Sequence, residues 1–207
     1  MTEAKAPLDL IGMASGFVAD EVVHVELASR VAMELGGAVP RPVDFDALYA
    51  GPDPALPAFQ RANDMVLRVS AIAEAFSGRM AVGAMRSTTH PLTRGVYEKV
   101  VADESLHYRL GGLYFEWASE QMDDRERARL SVLALETLKT FVPSFKPKRD
   151  KGSARYRATL EQIHEIGWIE TRFYKENVEA AVRDAIVAPL VTYGIVIAKE
   201  EVEALLA

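Results

Sequence analysis

Three of the four histidines in this 207-residue chain follow a glutamate by three positions: Glu21-Val-Val-His24, Glu104-Ser-Leu-His107 and Glu161-Gln-Ile-His164. On a helix of about 3.6 residues per turn, such a pair projects from one face. The spacing therefore ties the chemistry to helices. A carboxylate beside an imidazole on each of two facing helices is part of the ligand set of a dinuclear site in a helix bundle.

The rest of the chain reads as helices separated by turn-rich breaks. A first helix is expected from about Leu8 to Leu35, with Phe17, Glu21, His24, Ala28, Val31 and Leu35 on one stripe and Gly36-Gly37 as its stop. Residues 38–59 hold Pro40, Pro42, Pro52, Pro54 and Pro57, too many for regular helix. Extended, that stretch reaches along a bundle and suits a crossover between parallel neighbours. A second helix fits Arg61 to Ser87, with Leu67, Ser70, Ala71, Glu74, Ser77 and Ala81 on one face, and Pro91 bounds the break after it. A third fits Leu92 to Gln121, with Val100, Val101, Glu104, His107, Gly111 and Phe115 inward; a fourth fits Asp124 to Phe141. Pro143 to Gly152 is a basic loop, and helices cover Ala154–Ala181 and on to Leu206 with a break at Gly194. The expected organisation is all-α: a bundle core over residues 1–141 and a C-terminal helical extension over 142–207 packed on the same domain.

Composition narrows the chemistry. There is no cysteine, so disulfides, iron–sulfur clusters and thiolate zinc sites are excluded. Any metal must be held by carboxylate and imidazole, which suits iron, manganese or zinc. A net charge of −6 argues against nucleic acid as a partner. No apolar run reaches the ~20 residues that span a bilayer, and MTEAKAPLDL carries no secretory pattern, so a cytoplasmic protein is expected.

Glu21/His24 and Glu104/His107 lie on separate expected helices, with Glu74 on the small, apolar face of the helix between them. A buried carboxylate there needs a metal or a strong partner. The stretches Ala19-Asp20-Glu21-Val22-Val23-His24-Val25-Glu26-Leu27 and Ala102-Asp103-Glu104-Ser105-Leu106-His107, with Glu74 between them, resemble the ligand helices of the ferritin-like di-iron carboxylate proteins. The resemblance covers roughly residues 9 to 120. It implies a ferritin-like bundle holding two iron ions, or manganese, and reaction with dioxygen. Glu21 and Glu104 would bridge the metals, His24 and His107 would each hold one, and Glu74 would be terminal. Asp20 and Asp103, each beside a ligand glutamate, are candidate acceptors for the Nδ1–H of the histidine in the opposite pair.

One departure from the family is plain. Only 20 residues precede Glu21, so the first helix, with its own lone glutamate, is missing and five of six ligands are present. Three explanations compete: a helix upstream of Met1, a helix donated by a partner chain or a homodimer, and an incomplete site. A rival register of Glu74, Glu104/His107, Glu136 and Glu161/His164 supplies six ligands but places Glu136 among exposed charges and leaves no long crossover. Tyr97, Tyr108, Tyr114 and Trp117 flank the third helix's ligands, as core packing or as a radical or oxygen gate. Gly78, Gly83, Gly111 and Gly112 allow close helix approach or a substrate cavity. The leading expectation is an O2-dependent oxidase or oxygenase acting on an unknown small substrate. The alternatives are an iron-storage or detoxification protein and a metal-free helical interaction module.

Overall fold

The computed structural model describes residues 1–37, 51–142, 159–167 and 171–207, and among these there are helices and no strands. Helix boundaries follow from local chemistry. α1 is Leu8–Glu34, and it ends where Gly36 and Gly37 take φ values of 119° and 89°, with the Gly37 amide donating back to Ala32 O at 2.8 Å. α2 spans residues 58–87, one residue after Pro57, and is built from α-helical turns Ala58–Val66, a wider π-helical segment Leu67–Glu74 and α-helical turns Ala75–Ser87. α3, Pro91–Ser119, starts on a proline whose missing N–H costs nothing at that position. α4, Asp124–Phe141, has the bounds read from the sequence, and Asp123 caps it by accepting the Glu126 amide at 2.8 Å.

α5, Leu160–Glu165, opens with a capping box formed by Thr159 and Gln162. Its last carbonyl, Glu165 O, accepts the amides of Thr89 and His90 at 3.1 and 3.0 Å, tying it to the α2–α3 turn. α6 spans residues 171–192 and again contains a π-helical segment, Ala181–Val187, between Thr171–Ala180 and Ala188–Thr192. Gly194, at φ 75°, makes the expected break before α7, Lys199–Leu206. The expected crossover lies largely outside the described residues, as do the basic loop and the start of the next helix.

The core forms where α2, α3, α4 and α6 meet, around Leu67, Phe76, Tyr114, Phe115, Leu130 and Ile186, all fully buried. Burying each such side chain contributes about 1.5–3 kcal/mol. One polar network runs through it. The Glu126 carboxylate accepts from Asn63 at 2.7 Å, Gln60 at 2.9 Å and Arg129 at 2.8 and 2.9 Å; Arg129 also reaches Asp64 at 2.6 Å, and Tyr114 donates to Asn63 at 2.8 Å. Burial pushes the Glu126 carboxyl up, but hydrogen bonds from Arg129 and Asn63 outweigh it and hold the group below the usual range. Tyr114 is thus a bonded core residue, and α2 is locked to α3 and α4.

α1 lies at the margin of this core, joining it through Leu10 with Met13, Ala14 and Phe17 packed against it. It packs on α3, and Leu10 is its one fully buried residue; Ala28 and Leu35, expected on the inward stripe, are exposed.

Candidate metal centre

The outer helix α1 and the inner helices α2 and α3 bring the five expected ligands together. One ligand atom from each of Glu21, Glu74, Glu104 and His107 lies within 4.8 Å of every other. His107 Nδ1 is 3.3 Å from Glu21 Oε1, 3.6 Å from Glu74 Oε2 and 3.7 Å from Glu104 Oε2. His24 joins them through Nδ1, 3.3 Å from Glu21 Oε1 and 3.8 Å from Glu104 Oε1. The i, i+3 spacing does what a helix requires of it, setting each imidazole beside its own glutamate and opposite the other pair.

The outward ring nitrogens are cross-paired. His24 Nε2 lies 3.1 Å from Asp103 Oδ2, and His107 Nε2 lies 3.2 Å from Asp20 Oδ2. Each aspartate therefore serves the histidine of the opposite pair, as expected, but through Nε2 and not Nδ1. Because a carboxylate can only accept, Nε2–H is the donor, and Nδ1 of a neutral ring is left as a lone pair facing the cluster. Lys99 pairs with Asp103, and burial, which raises the Asp103 carboxyl, is outweighed by the hydrogen bonds of Lys99 and His24, which hold it below its usual value. Phe17, one turn before Asp20, stacks on the His107 ring at a centroid distance of 3.9 Å and fixes its plane.

The inward atoms are carboxylate oxygens and ring nitrogens crowded together. Glu21 Oε1, Glu104 Oε2 and His107 Nδ1 are buried without a hydrogen-bond partner. Burial first, then the neighbouring Glu74, Glu21 and Asp103, pushes the Glu104 carboxyl up to about 9. Buried polar atoms left unpaired carry a desolvation cost, which a proton on Glu104 shared with Glu74, or a cation among them, relieves. The donor set, three carboxylates and two imidazoles, fits iron, manganese or zinc.

A cleft of about 390 Å³ reaches the cluster from the side away from α1, lined by Glu74, Gly78, Arg79, Glu104, Tyr108 and Asp184 among others. Asp184 sits on the wide turns of α6; no motif in the sequence marked it. Gly111 makes a close approach, since a Cβ there would lie 3.0 Å from the Ala71 backbone nitrogen, whereas Gly78 and Gly112 line clefts. The rival register is not assembled: Glu136 and Glu161 are exposed, and no second metal-competent cluster of His, Asp and Glu occurs among the described residues. No further carboxylate joins the five as a sixth ligand there either. No helix of the described residues is long and apolar enough to cross a membrane.

The chain matches no protein-family model, no curated protein and no solved structure.

Proposed function

We propose that this protein is a ferritin-like dinuclear carboxylate protein that binds two iron or manganese ions and uses dioxygen to oxidise a small substrate. One observation carries the reading: two cross-paired histidines whose Nδ1 atoms face three glutamates, with Glu21 Oε1, Glu104 Oε2 and His107 Nδ1 buried and without a hydrogen-bond partner. In this reading Glu21, His24, Glu74, Glu104 and His107 would hold the ions. Such a pair of ions, when reduced, supplies the binding and reduction of dioxygen.

The chain's own residues do the remainder. Asp20 and Asp103 accept the Nε2–H of His107 and His24, fixing the tautomer that leaves Nδ1 free to ligate. Phe17 holds the His107 plane and keeps water from it. Glu104 gives up its proton when a cation enters, so uptake is coupled to proton release. The cleft beside Glu74 and Glu104 admits a small molecule to the cluster without disturbing α1.

The test is direct. Protein expressed with iron should contain about two metals per chain by elemental analysis, and a ferrous sample should consume dioxygen. A content well under one metal per chain sinks the metal reading. Two metals per chain without dioxygen consumption would retain the centre and discard the oxidase.

A further inference from the structure

Although α1 has one fully buried residue among 27, its outward face is apolar. Val18, Val22, Val25 and Met33 are 68, 66, 67 and 62% exposed. Valine is a poor choice for the water-facing side of a helix on propensity alone. Ile11, Ser15, Val18, Val22, Val25, Ser29 and Ala32 follow alternating steps of four and three, the seam spacing of a two-helix coil. The exposed apolar side-chain area of these four residues is on the order of 300 Å², the size of the largest apolar patch on a typical monomer and a substantial part of one side of a standard interface.

We propose that a second copy of the chain covers this face, docked α1 to α1 in antiparallel orientation about a two-fold axis. The flanking residues choose the orientation. Glu21 borders the seam on one side and Glu26 on the other. Parallel helices set flanking residues five apart against each other, so Glu21 would meet Glu26 of the second copy twice over. Arg30 engages Glu26 on its own helix at 2.7 Å, but among the described residues no lysine or arginine pairs with Glu21.

With the helices antiparallel and the axis between residues 23 and 24, Val22 meets Val25 of the second copy, Val18 meets Ser29, and Ser15 meets Ala32. Glu21 then faces Ala28 and Glu26 faces Ala19, with no like charges opposed. Every contact occurs twice, as a two-fold axis demands. The seam also borders the carboxylate cluster on its open side, where the Glu21 side chain is 42% exposed. The second copy's helix dries that carboxylate, so the surroundings of the cluster are complete only in the dimer. None of this requires bound metal.

Light scattering on the metal-free full-length chain should therefore give twice the 22.8 kDa chain mass. Val22→Glu should halve that mass with the helical circular dichroism retained. Because the chain has no cysteine, cross-linking reads the register without interference. On mild oxidation, a mixture of the Ser15→Cys and Ala32→Cys proteins should form mixed disulfide dimers, and neither protein alone should. This arm holds even where Val22→Glu fails to fold. A wild-type monomer, a dimer unmoved by Val22→Glu, or Ser15→Cys linking to itself as a parallel pair would each overturn the proposal.

Discussion

Replacing Glu104 separates a metal centre from an ordinary buried ion cluster. Glu104→Gln keeps the shape of the side chain and removes its charge. In the metal-free protein burial, followed by Glu74 and Glu21, pushes the Glu104 carboxyl up to about 9 from 4.5, so the folded chain holds a proton there at neutral pH. The unfolded chain does not, and folding takes up a proton anywhere between the two values. The stability linked to this group is therefore complete below 4.5 and declines by ~1.4 kcal/mol per pH unit until about 9. At pH 7 the decline amounts to up to about 3 kcal/mol, which for a chain of this size is roughly 6–12 °C in melting temperature. Glutamine carries no such penalty.

In EDTA, Glu104→Gln should thus become more stable relative to wild type as pH rises from 5 to 8, by up to ~1.4 kcal/mol per unit. With Mn(II) at a hundredfold excess over its Kd, the balance shifts back toward wild type. Wild type should gain about 2.7 kcal/mol from a ligand that binds only the folded state, and the variant, deprived of one of the cluster's carboxylates, should gain little. Urea unfolding followed by circular dichroism at four pH values, with and without Mn(II), reads all of this. A wild-type-to-variant gap that ignores pH in EDTA, or equal metal stabilisation of both proteins, would refute the reasoning.

The Asp20→Ala and Asp103→Ala proteins should bind Mn(II) 10–100-fold more weakly by titration calorimetry, because His107 and His24 lose the acceptors that orient them; unchanged affinity would leave those aspartates without a role at the centre. Glu126→Ala should lower the urea-derived stability by about 3–5 kcal/mol, since Arg129 and the buried Asn63 lose their shared acceptor. A loss below 1 kcal/mol would mean that the network relaxes around the gap. Gly167→Ala should cost about 1–3 kcal/mol by the same assay, because φ is 95° there and a Cβ would lie 2.8 Å from a Tyr97 ring carbon.

The parts of this molecule that were legible in the sequence are those fixed by short-range geometry. Pro91 and Gly36 mark helix ends because one lacks an N–H and the other tolerates positive φ, and α4 has the expected bounds for the same kind of local reason. The two pairs Glu21/His24 and Glu104/His107 converge because an i, i+3 spacing leaves little freedom on a helix, and Glu74 joins them. What the spacing does not contain is the rotation of a ring: it left open that Nε2, not Nδ1, would meet the aspartates.

Nor does a regular 3.6-residue count contain a π-helical segment. Leu67, Ser70 and Ala71 are inward as counted, but past the wide turns ending at Glu74 the buried positions become Ala75, Phe76, Gly83 and Ala84, where Ser77 and Ala81 had been expected. Each wide turn takes up an additional residue and turns the following face away from the regular register. On both sides of Glu74 the helix packs on α3 and enters the core, through Leu67 and Ile72 before it and Phe76 after it, while Glu74 itself offers a carboxylate to His107. The helix thus carries polar groups inward at separate points, Asn63 and Asp64 to the Glu126–Arg129 network and Glu74 to the histidine cluster, and each of them meets a polar partner where it is set among apolar neighbours.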